Sequence, residues 1–483
     1  MTDSPLFELS FRQDIAIVER NENSILFSPP EGGGIYFNRL TPGLHLMFDR
    51  LFAGGVTEAE LSQAVMATDG PSGLVRFYQQ IHLLGKQATL NHTVRVGDSR
   101  WASIKPMVRH YQFKPKMVQP DRAYQLSRFA CARVENEEWV LETPTGYARV
   151  VLHSEAALPL LQSLTRPFTH HALSQHHADL DSEAICFFMN LLLNAKLLVE
   201  VTEDGATAES TEPSLAQWNF YDLLFHSRSR KGRHNLPYGG TFRFIDTFAQ
   251  LPVVKIELPD GEIIPLAKPD IEALKQNDVS FTAVLEERKS IRNYAEEPIT
   301  AVELGHFLYR SARIKQQMDN GHNQFSLRPY PGGGALYELE LYLIVNECDG
   351  IAPGVYYYNP AEHQLHTIST ELDLYAKGVL EIAWHAANKQ SYPQVYIGIT
   401  SRFQRLQWKY DAVAYALTLK NVGTLYQTMY LVATALGLAP CALGGGDSDL
   451  FGNAAKLDNY YAESLVGEFL IGSQGDDPGR ALI

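Results

Sequence analysis

Apolar and polar positions alternate with a period of two over residues 6–27, through Leu6, Glu8 and Ser10, then Ile15 and Ile17, then Ile25-Leu26-Phe27. That period predicts strands. Pro29-Pro30-Glu31-Gly32-Gly33-Gly34 predicts a turn, and Ile35-Tyr36-Phe37 a further strand. The pattern then becomes helical. Thr41-Pro42 supplies an N-cap and a proline at the first helical position, and Leu44, Met47, Phe48, Leu51 and Phe52 fall on one face that ends at Gly54-Gly55. Thr57 and Glu60 stand at capping-box spacing and open a second helix, and Leu74 to Leu84 supplies a third. Strands followed by three short helices predict a winged helix-turn-helix-like unit.

The pattern repeats after about 110 positions, which predicts a tandem duplication. Trp139-Val140-Leu141 answers Ile25-Leu26-Phe27, Thr143-Pro144-Thr145-Gly146 answers the turn, and Val150-Val151-Leu152 answers the strand after it. Leu158, Leu161, Leu164 and Phe168 answer the first helix, and Thr169 to Leu173 answers Thr57 to Leu61. The two copies are assigned to residues 1–105 and 106–205. Such a unit binds DNA through its third helix or takes an extended peptide onto an open strand edge, here around Ile35-Tyr36-Phe37 and Val150-Val151-Leu152. The third helices are mostly apolar, which favours the peptide.

Val201 to Gln217 is rich in Thr, Glu, Ser and Ala, so residues 206–217 are expected to form a linker. From Trp218 to the end the pattern mixes strand-like runs, at 339–345, 354–358 and 395–399, with helical runs at 301–311, 376–386 and 414–436. Residues 218–483 are therefore expected to form one α+β domain.

Composition narrows the function. The chain has 483 residues and a formal net charge of −14, which argues against a general nucleic-acid binder. The four cysteines are scattered, without a C-x-x-C pair, so a reducing cytoplasm is expected rather than a disulfide framework or a zinc site. The pairs His170-His171 and His176-His177 lack cysteine or carboxylate support and are expected to be solvated, with no metal bound. Neither a basic-then-apolar signal segment nor an apolar run of membrane length is found, so no membrane association is expected.

The candidate chemistry lies in four stretches of the carboxyl half. Arg288-Lys289-Ser290-Ile291-Arg292 packs three cations and a hydroxyl into five residues. Guanidinium forks and a serine hydroxyl suit phosphate oxygens, although such a run on its own also fits a solvated basic turn. Next come Arg328 to Tyr337, with Gly332-Gly333-Gly334, then Gln407-Trp408-Lys409-Tyr410, then Pro440-Cys441-Ala442-Leu443-Gly444-Gly445-Gly446. Together and in this order they resemble the SagB-type azoline oxidases of the nitroreductase-like flavoproteins, and most of all a cyanobactin oxidase, which turns thiazolines of a modified peptide into thiazoles.

The resemblance implies a nitroreductase-like FMN domain preceded by two winged-helix-like peptide clamps. It implies FMN phosphate at Arg288, Ser290 and Arg292, with Lys289 beside them and Arg480 a weaker candidate. Tyr330, Pro331, Gly332, Gly333 and Gly334 would flank the flavin, Leu443, Gly444 and Gly445 would lie along its ring, and Gln427 would reach the partner's cofactor in a homodimer. Lys409 and Tyr410 are the expected catalytic pair. A lone tyrosine is a poor base at neutral pH, and a nearby ammonium would lower its pKa. The expected reaction is oxidation of thiazolines or oxazolines, with O2 as electron acceptor, in a heterocyclised precursor peptide held through its leader. The alternatives are an NAD(P)H-dependent nitroreductase or flavin reductase, and a non-catalytic peptide-binding scaffold.

Overall fold

The computed structural model describes residues 6–28, 33–113, 116–321 and 323–475. The turn expected at Pro29 to Gly32 and the candidate Arg480 lie outside them. The chain divides into two compact units, 1–236 and 237–483.

Within the first unit one pairing scheme occurs twice. Strand Leu6–Phe11 pairs antiparallel with Val56–Thr57 and Leu90–Val96. Strand Ala123–Leu126 pairs in the same way with Phe168–Thr169 and Leu198–Val201. Each scheme encloses a three-strand wing, Ala16–Arg20, Ser24–Ser28 and Ile35–Asn38 in the first and Cys131–Glu135, Glu138–Glu142 and Ala148–Leu152 in the second. Each also encloses three helices, Pro42–Ala53, Glu58–Asp69 and Pro71–Lys86, then Ala157–Ser163, His170–His176 and Ser182–Asn194. Local signals fix the helix starts. The Thr57 hydroxyl accepts from Glu60 N while the Glu60 carboxylate accepts from Thr57 N, at 3.2 and 2.8 Å. The Thr169 hydroxyl accepts from Ala172 N at 3.1 Å. Phe27, Phe37, Phe48 and Phe77 are fully buried and build the first core.

Three expectations need correction. Among the described residues, strand Ser99–Pro106 has no counterpart in the second copy. It forms a hairpin with Leu90–Val96 and then pairs with Ala148–Leu152, with Val150 opposite Ile104. Val150-Val151-Leu152 is therefore an inner strand and offers no edge. The end strands of that sheet are Val56–Thr57 and Cys131–Glu135, whereas Ile35–Asn38 does end its own sheet. The reason is non-local, because one side of the Val150 strand is filled from the other copy.

The stretch 206–217 is likewise built rather than loose. It forms short helices Ala208–Thr211 and Pro213–Ala216. The buried Glu209 carboxylate accepts from Ser127 Oγ at 2.5 Å and from Arg128 N at 3.0 Å. Helix Phe220–Arg228, expected to open the second domain, lies within the first unit, where Arg228 pairs with Glu142 at 3.0 Å.

The second unit is a seven-stranded sheet between helical layers. The strand order is Ile263–Pro265, Gln364–Ser369, Gly354–Asn359, Leu339–Val345, Val395–Arg402, Glu463–Ser473 and Leu438–Leu443, with every pairing antiparallel. Leu339–Val345 is buried at every position because both faces are covered. Leu341, Leu343 and Val345 pack toward helices Ala301–Ala312 and Ala414–Ala435, and Tyr342 and Ile344 toward Leu374–Ala386 and Ser448–Ala454. No helix among the described residues is long and apolar enough to cross a membrane.

Replacing Glu209 with alanine tests whether 206–217 is structural. It removes the acceptor of the buried Ser127 hydroxyl and the partner of the Arg128 N–H, at a cost of about 1–3 kcal/mol. Urea unfolding of the full chain should show that loss in the transition of the first unit. An unchanged midpoint would make the stretch a loose connector.

Candidate functional site

Helix Ala414–Ala435 carries the polar groups that hold three of the four candidate stretches, so the site is best built from it. Its sequence is mostly apolar, and Val422, Leu425, Met429 and Ala433 enter the core. Asn421 and Thr424 stand three positions apart, and Tyr426 and Tyr430 four apart, each pair at the spacing of helical neighbours.

The first loop begins where helix Phe281–Glu287 stops at Arg288. The Arg288 guanidinium lies 5.3 Å from the centroid of the Tyr430 ring. Ser290 Oγ is 2.7 Å from Tyr430 Oη, and that same hydroxyl accepts from Ala442 N at 2.8 Å. Ile291 N donates to Pro440 O at 2.9 Å. The basic loop is thus fastened along strand Leu438–Leu443. Arg288, Lys289, Ser290 and Arg292 are all half-buried, and Arg292 Nε is buried without a hydrogen-bond partner. Burial raises the Cys441 thiol pKa, and Arg292 partly offsets that rise.

The second loop is held by buried side chains. Gly333 N donates to Asn421 Oδ1 at 3.0 Å, and Asn421 Nδ2 donates to both Glu338 oxygens at 2.9 and 3.1 Å. Thr424 Oγ1 donates to Pro331 O at 2.9 Å. Glu338 is fully buried, and burial raises its pKa against the opposing effect of the Asn421 hydrogen bond. Tyr330 is buried beneath the loop, and its carbonyl accepts from Tyr337 Oη at 2.7 Å.

Lys409-Tyr410 follows the short helix Gln404–Gln407, and Gly240 pairs opposite Tyr410. Phe242 N donates to Lys409 O at 3.1 Å, and Arg243 pairs with the buried Asp411 at 3.0 Å. Although neighbours in sequence, both functional groups reach one point. A methyl group added to Gly334 would lie 2.5 Å from Tyr410 Oη and 3.2 Å from Lys409 Nζ. Gly334 also has φ of +62°, a backbone conformation that side chains rarely adopt, so glycine is favoured at this position. The structure therefore joins the second glycine run to the Lys-Tyr pair.

The last loop leaves strand Leu438–Leu443. Gly444 and Gly445 are exposed, and a methyl group on either would meet no described atom within 4 Å. Their lack of side chains leaves the backbone open to a ligand. Gln427 is exposed on the long helix.

Sequence reading missed Tyr430 and Asn421, which touch the candidate stretches, and Glu338, which holds Asn421. The available signal was polar spacing within an apolar helix, together with an acidic residue opening the buried run at 339–345.

Similarities to known proteins agree with this layout. A model of the nitroreductase family matches residues 285–472. A model described as cyanobactin oxidase ThcOx matches residues 124–235, and one described as the ThcOx helix turn helix domain matches residues 3–115. A protein of Methanocaldococcus jannaschii named as a nitroreductase is 30% identical over 204 residues, covering 41% of this chain and 93% of that protein. The microcin B17-processing protein McbC of Escherichia coli is 27% identical over 156 residues, covering 31% of this chain and 56% of its own. The trifolitoxin-processing protein TfxB of Rhizobium leguminosarum bv. trifolii is 27% identical over 223 residues, covering 45% of this chain and 56% of its own. The chain thus spans about half the length of these last two.

Asn421→Ala removes the donor to Glu338 and the acceptor for Gly333 together. A stability loss of about 1–3 kcal/mol is expected by urea unfolding. Wild-type stability in the variant would mean the Asn421 bridge does not hold the loop.

Proposed function

Because the chain belongs to the nitroreductase family and carries cyanobactin-oxidase segments ahead of that domain, we propose that it is an FMN-dependent azoline oxidase acting on heterocyclised precursor peptides. The observation that carries this reading is the convergence of Lys409 Nζ and Tyr410 Oη on Gly334. An azoline loses two hydrogens on becoming an azole, one as hydride and one as a proton from the neighbouring ring carbon. Bound FMN would accept the hydride, with O2 restoring it afterwards. The proton needs a base within hydrogen-bond reach, and the Lys-Tyr pair beside a side-chain-free backbone offers one.

The residues present fit FMN. The buried, unpartnered Arg292 Nε, with the Arg288 guanidinium and Ser290 hydroxyl on the same loop, makes a donor set for its phosphate. Lys289 adds charge at the rim. Gly444 and Gly445, open on their outer side, leave room for a planar ring along Leu443, and the Tyr330–Gly334 loop would flank it. Arg288→Ala should weaken FMN retention about tenfold or more. Gln427, exposed on the long helix, suits a homodimer in which each subunit completes its partner's site. A fully active monomer by light scattering would refute that arrangement.

For the peptide, the first wing offers the open strand edge. Its end strand Ile35–Asn38 can pair with an extended leader, raising the local concentration of the tethered core to roughly millimolar. The names of McbC and TfxB, both peptide-processing proteins, support a peptide substrate. The M. jannaschii relative favours a second reading, an NAD(P)H-dependent nitroreductase, and turnover of a nitroarene with NADPH would support it.

Mass spectrometry of a thiazoline-bearing peptide incubated in air with the protein tests the proposal. Loss of two hydrogens per ring is expected. Lys409→Ala and Tyr410→Phe should keep FMN and fold while losing about 10²–10⁴-fold in turnover. Normal turnover in both variants would remove the pair from catalysis.

A further inference from the structure

Glu468 lies inside strand Glu463–Ser473, directly across from Leu443. The loop leaving Leu443 folds back over it. A methyl group on Gly446 would lie 2.6 Å from Glu468 Oε1, so the carboxyl group occupies the space that any side chain at 446 would need. Glu468 N donates to Tyr426 Oη at 2.7 Å, which ties the strand to helix Ala414–Ala435. The carboxyl borders a cavity of about 10 Å³, shared with Leu443, Gly445, Gly446 and Asp447, with room for one water molecule at most.

The titratable groups facing Glu468 from adjoining elements are Tyr396 and Tyr426, whose pKa values burial raises, and Asp447 on the loop. Among the described residues no cation lines the cavity. The carboxyl is therefore desolvated without a compensating charge, and its pKa is pushed up to about 7.

We infer that Glu468 is a positioning residue of the flavin site, holding the 443–446 loop in its flavin-binding shape while neutral and distorting it when ionised. This rests on the reading of that loop as the flavin's cradle. A neutral carboxyl fills the space under Gly446 without demanding strong donors. A carboxylate there needs hydrogen bonds in place of water. The backbone N–H groups of the loop it touches are then drawn toward it and away from a bound ring. Flavin binding is tightest below about pH 7 and weakens as the pH rises through that value, because binding favours the protonated carboxyl.

The test uses the full chain stripped of flavin and titrated with FMN by fluorescence quenching at a series of pH values from acid to alkaline. For the wild type the dissociation constant should rise about tenfold across neutrality, as a one-unit displacement of the carboxyl pKa on binding requires. Glu468→Gln, neutral at that position throughout, should lack that rise. Parallel curves for the two proteins overturn the inference. A wild type that binds no FMN at any pH sinks the flavin reading instead, and flavin-free protein then decides the role of Glu468. There, Gly446→Ala should lower the melting temperature in the wild-type background and leave it unchanged in the Glu468→Ala background. An equal drop in both backgrounds overturns the contact.

Discussion

The Tyr430 hydroxyl sits between the Ser290 hydroxyl, 2.7 Å away, and the Ala442 N–H, 2.8 Å away. It lies at the end of a series of polar groups on one helix. Tyr426 binds the strand under the last glycine loop, Thr424 binds Pro331 O, and Asn421 binds Gly333 N. Three loops far apart in sequence are thereby referred to one rigid rod. A buried polar group is costly when unpaired, so each loop has a strong reason to take one position. Precision at the site is a by-product of satisfying those groups.

That arrangement explains why the glycines divide into two kinds. A methyl group on Gly334 would crowd Tyr410 Oη and Lys409 Nζ, and one on Gly446 would crowd Glu468. A methyl group on Gly444 or Gly445 would meet no described atom within 4 Å. The first kind packs the loops against side chains that can carry or release protons. The second leaves backbone exposed where a flat ring could lie. A site for proton removal beside a hydride acceptor needs both kinds, and they occur within one domain.

Much of this was legible in the sequence because it is local. Thr57 with Glu60 announced a helix start through residues three apart, and the cation-serine run and glycine runs stood out by composition. The order of strands and helices in the amino half gave the repeated unit. The failures share one cause. Val150-Val151-Leu152 reads as an edge from its own copy, yet Ser99–Pro106 of the other copy fills it. Residues 206–217 read as a linker by composition, yet Glu209 finds donors at Ser127 and Arg128. Asn421 and Tyr430 look like the wet side of an amphipathic helix until the loops that cover them are in place. Each error concerns a partner distant in sequence, which periodicity does not encode.

The central claim is that the electrons come from a peptide azoline. The most direct measurement is anaerobic mixing of the FMN-loaded protein with a thiazoline-bearing peptide while the flavin absorbance is followed. The account predicts bleaching by the peptide at a rate fast enough for turnover, no bleaching by NADPH, and recovery of the oxidised spectrum on admitting air. Rapid bleaching by NADPH with no response to the peptide would contradict it and assign the chain to the pyridine-nucleotide-dependent reductases.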